Sequence, residues 1–219
     1  MKSKAISLYV VLFFLCSFSS RASFVLLPME AEGQQNHLKA YGITYWALDK
    51  SYKVSWLLNY RGGSFLLPDA PEIRKECQIR GVTFEVLSDA ATNTILEDIS
   101  SPSQNMETVV LEKAPKIAVY TPKGKQPWDD AVTMVLTYAE IPFKEIYDEE
   151  VLSDQLLLYD WLHLHHEDFT GQYGKFFGNY RNTPWYIQQK AEAEALAKKL
   201  GYNKVSEEKL AVAKKIRDF

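Results

Sequence analysis

The sequence predicts an α/β protein in which a small N-terminal α/β segment is followed by a partial doubly wound parallel sheet. Three observations carry that prediction. Short apolar runs alternate with helical patterns, most regularly between Lys116 and His165. Helix starts and stops are well marked, with Pro71 and Thr183-Pro184 opening runs that Gly81 and Gly201 close. The first stretch, basic and then apolar, stands apart from the rest in composition.

That stretch begins with Lys2 and Lys4 and continues as an apolar run from about Ala5 to Cys16. It has the layout of a secretory signal and falls short of the roughly 20 apolar residues that span a bilayer as a helix. Ser20-Arg21-Ala22 puts small residues at the −3 and −1 positions, so residues 1–22 are expected to be removed on export. Lipid attachment at Cys16 would need a small residue before it, and Phe14-Leu15 stand there. No later stretch is apolar enough for a second span. Cleavage removes Lys2, Lys4 and Arg21 and no acid, taking the formal net charge from −3 to −6. An acidic chain argues against a nucleic-acid partner. Cys16 leaves as well, so Cys77 remains without a second cysteine for an internal disulfide and reads as a semi-buried structural thiol.

Residues 23–105 are expected to form the first unit. Leu38, Tyr41, Ile43, Tyr45 and Trp46 give a helical pattern from Asn36 to about Trp46. Lys53 to Tyr60 is strand-like, Arg61-Gly62-Gly63-Ser64 is a turn, and Phe65 to Leu67 is a second strand. Pro68-Asp69-Ala70-Pro71 opens a helix through about Ile79, and Val82 to Leu87 alternates as a strand. The polar run Ser100 to Asn105 is the expected linker.

Residues 106–219 follow a βαβ rhythm. Lys116 to Tyr120 is a strand, and Pro127 with Asp129 and Asp130 fits a helix start. Val132, Val135, Leu136 and Ala139 form that helix's stripe, and Pro142 stops it. Phe143 to Tyr147 is a strand, Glu149 to Leu157 a helix, and Tyr159 to His165 a third strand. Thr183 caps a helix ending at Leu200. Ser206 is expected to cap the last one, with Val205 and Leu210 as a hydrophobic staple. A further parallel strand would be expected after these helices, so the chain reads as truncated.

The densest polar cluster is His163-Leu164-His165-His166-Glu167-Asp168. In an extended strand His163 and His165 share a face with Trp161, at the carboxyl end where open α/β sheets place ligands. Three readings fit. The groups hold the rim together by hydrogen bonds, they form a substrate or partner site, or His163, His165, Glu167 and Asp168 ligate zinc or a similar metal. The spacing is similar to the His-x-His-x-Asp-His run of metallo-hydrolases, except that Asp168 stands at the last histidine position. Phe169 to Tyr186, rich in Gly, Asn and aromatics, reads as a rim loop whose Tyr173 and Trp185 either stack on a ligand or cover the sheet edge. Lys123-Gly124-Lys125 lacks the glycines and hydroxyl of a phosphate loop and reads as a solvated turn.

The runs LNYRGGSF (58–65), KIAVYTPKGKQPWDDAV (116–132) and DWLHLHHEDFTGQYGKF (160–176) resemble a family of exported bacterial proteins commonly labelled asparagine synthetase B. The resemblance covers nearly all of the chain after residue 22. It implies a class I glutamine-amidotransferase-like, flavodoxin-like second half and a periplasmic or envelope location. It also implies continuation into a further Gly-rich strand with a cysteine. The labelled activity needs an amino-terminal cysteine nucleophile and a Ser-Gly-Gly-x-Asp pyrophosphate loop, and neither is in this sequence. The resulting expectation is an exported protein with no required cofactor that binds a small molecule or envelope protein at the 163–186 rim. The alternatives are an envelope hydrolase using the His163–Asp168 cluster, with zinc as its metal, and the labelled activity itself.

Overall fold

The computed structural model describes residues 23–121, 131–164 and 178–219. The expected signal at 1–22 and the Lys123-Gly124-Lys125 turn with Pro127, Asp129 and Asp130 lie outside the described residues. The chain divides into two compact units, Met1–Ala114 and Pro115–Phe219. The boundary expected at 105/106 therefore moves. Ser100–Asn105 is a connection inside the first unit, because the strand after it pairs back into the first sheet.

The first unit contains β1 (Ser23–Leu27), α1 (His37–Asp49), β2 (Val54–Leu58), β3 (Phe65–Pro68), α2 (Pro71–Arg80), β4 (Glu85–Ser88), α3 (Asp89–Ile99) and β5 (Glu107–Leu111). Its five strands run in the order β4-β1-β3-β2-β5, antiparallel at every pairing. Val25 and Leu27 of β1 enter one core with Ala40, Ile43 and Ala47 of α1 and Ile73 and Cys77 of α2. Leu26 enters a second core with Leu57, Leu66 and Ile99 of α3. Helices thus cover both faces, which is why SFVLL is apolar at nearly every position instead of alternating. Asn36 caps α1 by accepting from the Lys39 amide at 3.2 Å, and Pro71 at the start of α2 and left-handed Gly81 at its end bound that helix as expected.

The β2–β3 hairpin, in register at Trp56↔Phe65, turns on an unusual backbone. Asn59, Arg61, Gly62 and Gly63 all have positive φ. A Cβ on Gly62 would lie 2.5 Å from the Met29 carbonyl carbon and oxygen, so only glycine fits there. Arg61 anchors the turn: its Nε lies 2.9 Å from both Glu30 oxygens, and Nη1 and Nη2 reach Glu85 at 3.0 and 2.8 Å. Ser64 is fully buried with its hydroxyl donating to the Arg61 carbonyl at 3.0 Å, in keeping with a plain turn.

The second unit contains β6 (Ile117–Tyr120), α4 (Ala131–Ala139), β7 (Phe143–Ile146), α5 (Asp148–Leu152), β8 (Trp161–Leu164), α6 (Pro184–Lys199) and α7 (Val205–Asp218). Its three strands are parallel, in the order β7-β6-β8. All four residues of β6 are buried, as suits a central strand. Ala118, Tyr120, Ile146, Val151, Leu156 and Val212 make the core, with Leu162 and Ile216 packed against it.

Several boundaries differ from expectation. The helix expected at 149–157 is the five-residue α5 followed by a 3-10 turn, Gln155–Leu158. Lys204, not Ser206, occupies the cap position of α7, and Leu210 is 56% exposed, so it is no staple for Val205. α6 starts at Pro184, which makes Trp185 and Tyr186 helical residues and not part of a rim loop. Among the described residues no helix is long and apolar enough to cross a membrane.

Candidate functional site at the carboxyl end of the second sheet

In the second sheet β7 lies on one side of β6 and β8 on the other. The chain therefore reverses direction across the sheet between β6 and β8, at the register pair Tyr120↔Leu164. In open parallel sheets, this reversal at the carboxyl ends is where ligands are held.

His163 is placed there. It pairs with Val119 of β6, is half-buried, and alternates with Leu162, which packs into the core. His165, His166, Glu167, Asp168 and Tyr173 lie outside the described residues. Trp185, 45% exposed, sits in the first turn of α6 and belongs to an aromatic group with Tyr180 at 5.2 Å and Tyr186 at 5.8 Å between ring centres. Of the four candidate zinc ligands only His163 is described, and among the described residues no three His, Cys, Asp or Glu side chains are grouped to hold a metal.

Just beneath the rim is a polar cluster that sequence reasoning did not single out. Tyr120 ends β6, and Tyr147 and Asp148 immediately follow β7, so all three come from strand carboxyl ends. The Tyr120 hydroxyl donates to Asp148 Oδ1. Lys209, reaching in from α7, donates to Asp148 Oδ2 at 2.7 Å, Tyr147 Oη at 2.9 Å and Tyr120 Oη at 3.1 Å. Its ammonium also lies 4.3 Å from the centre of the Tyr147 ring, in cation–π range. Glu208, the preceding residue, is 1% exposed. Burial pushes its carboxyl up to about 7, the Asp148 charge adds to this, and Lys209 partly offsets it. Its Oε1 has no hydrogen-bond partner among the described residues.

This network is well supplied with charge yet closed to solvent: Tyr120 is 0%, Asp148 1% and Lys209 7% exposed. The Lys209 ammonium is thereby shielded from water and engaged within the cluster. The cluster therefore fixes the ends of β6 and β7 and the seat of α7, and so supports the rim from below.

Cys77 is equally clear. It lies in the first unit's core at 0% exposure, and burial pushes its thiol up to about 12 against a smaller opposing effect of Arg80. A thiol so placed supplies no thiolate nucleophile near neutral pH. It is more deeply buried than the semi-buried position the sequence suggests.

No protein-family model, no curated protein and no solved structure matches this chain.

Proposed function

We propose that the protein is an exported, amidotransferase-like α/β protein that binds a small molecule at the carboxyl rim of its second sheet and does not catalyse amide transfer or asparagine synthesis. The observation that carries the reading is the parallel order β7-β6-β8, with His163 beside the point of reversal and the ends of β6 and β7 held by the buried Tyr120, Asp148 and Lys209 cluster. Such a rim is preorganised. Its strand ends are held by charge-assisted bonds that a ligand need not form for itself. Against amidotransferase chemistry at Cys77 stands its burial in the first unit's core, which leaves it inaccessible and without a thiolate. Export rests on the layout of residues 1–22, and the amidotransferase-like assignment on the sequence resemblance together with the strand order.

The test is an amide NMR titration of the protein with amino acids, amides and short saccharides. A ligand should shift the signals of Val119–Thr121, Tyr147 and His163–Leu164 together, and His163→Ala should weaken it tenfold or more. Shifts confined to the first unit, or release of ammonia from glutamine, would overturn the reading.

A further inference from the structure

We propose that α7 is a pH-operated latch, seated on the carboxyl ends of β6 and β7 while Glu208 is protonated and loosened when Glu208 loses its proton to solvent. The geometry behind this is the pairing of two adjacent α7 residues with one carboxylate. Glu208 and Lys209 both point into the core beside Asp148, and all three are at least nine-tenths buried. With Glu208 neutral, the buried site holds one ammonium and one carboxylate, with the Glu208 carboxyl beside Asp148. With Glu208 ionised, two carboxylates face the Lys209 ammonium out of reach of water, and Glu208 Oε1 has no donor among the described residues to receive. A buried uncompensated charge is relieved most cheaply by letting water in, and α7 is the element that carries it.

Among the described residues, the polar groups of this buried site come from several elements. Asp148 comes from α5, Tyr120 from β6, Tyr147 from the end of β7, and Lys209 from α7 itself. Among the described residues, the other charges nearby are engaged elsewhere or exposed. Glu149 pairs with Lys199, Asp154 with Lys215, and Lys190 with Glu194, while the Glu150 carboxylate accepts from the Tyr147 amide. Glu207, Lys198 and Lys204 are exposed.

The direction follows from linkage. A carboxyl raised from 4.5 to about 7 in the seated state favours seating fully below 4.5, and that advantage is lost as pH rises to about 7. Opening of α7 should therefore grow by up to about tenfold per pH unit over that window and level off above it. This proposal stands independently of ligand binding at the rim.

The test is amide hydrogen exchange on the full chain between pH 4.5 and 8, corrected for intrinsic rates. Protection of Val205–Asp218 should fall by up to about 300-fold across the window while β6 and α1 hold theirs. Glu208→Gln should keep α7 protected at every pH. Asp148→Asn, which leaves Lys209 free to neutralise an ionised Glu208, should also flatten the profile, and it serves should the first variant fail to fold. Flat protection in the unaltered protein, an undiminished pH response in both variants, or equal loss of protection in β6 and α7 would each overturn the latch.

Discussion

Replacing Lys209 by Met tests whether the buried cluster is the support described above. Methionine keeps most of the apolar stem, so packing is nearly conserved and the change isolates the ammonium. Three hydrogen bonds disappear, to Asp148, Tyr147 and Tyr120, and Asp148 is left charged, buried and without its cation. Removing one partner of a buried pair costs about 3–5 kcal/mol, most of it from the charge left behind and little from the lost bond itself. The exposure of Lys209, 9% for the side chain, is small enough that water screens little of this. The expected loss in the second unit is therefore about 3 kcal/mol at pH 6, where Glu208 is mainly protonated. Adding Asp148→Asn removes the stranded charge and should restore at least about 1 kcal/mol. A urea titration followed on the amide signals of β6 and β7 reads the second unit without interference from the first. A Lys209→Met loss below about 0.5 kcal/mol, or a double variant no better than the additive expectation, would refute the reasoning.

Other perturbations probe the remaining features. Gly62→Ala imposes a side chain at φ +80° and a Cβ 2.5 Å from the Met29 carbonyl, so the first unit should lose well over about 1 kcal/mol in the same titration. Cys77 should resist a thiol reagent such as dithionitrobenzoate in the native protein at pH 8 and react fully in denaturant; rapid native labelling would contradict its burial and its thiol at about 12. The metal-hydrolase alternative predicts stoichiometric zinc by elemental analysis, lost in a His163→Ala, His165→Ala double variant. Metal-free protein that retains ligand binding would favour the rim reading instead.

What the sequence made legible was local. The breakers around α2 act within a few residues, and Pro71 and Gly81 behave in the structure as they read in the chain. The alternation of strands and helices after Lys116 likewise produced three parallel strands. What escaped was non-local. β1 and β5 are short apolar runs whose identity as strands comes from partners, Phe24↔Pro68 and Trp56↔Val109, about fifty residues away. The polar run 100–105 looked like a domain linker because composition marks a loop without saying where the next strand pairs. Ser206 failed as a cap because α7 starts one residue earlier, at Val205, which turns Ser206 into a first-turn residue.

The cluster at Tyr120, Asp148 and Lys209 was missed for a related reason, and its one sequence signal lies in α7. Val205, Val212 and Ile216 form a helical stripe whose missing step falls on Glu208 and Lys209. Read in isolation, Glu208 is an acid complementing the start of a helix, and Lys209 an ordinary surface lysine. Two opposite charges filling a gap in an apolar stripe cannot both turn to water while the helix keeps its packed face, so they require a polar counterpart on whatever the helix covers. Tyr120 and Tyr147-Asp148, polar groups at the carboxyl ends of β6 and β7, are that counterpart. The demand that α7 makes and the supply at the strand ends are each visible in the chain. Only the fold brings residues 61 and 89 positions apart into hydrogen-bonding distance.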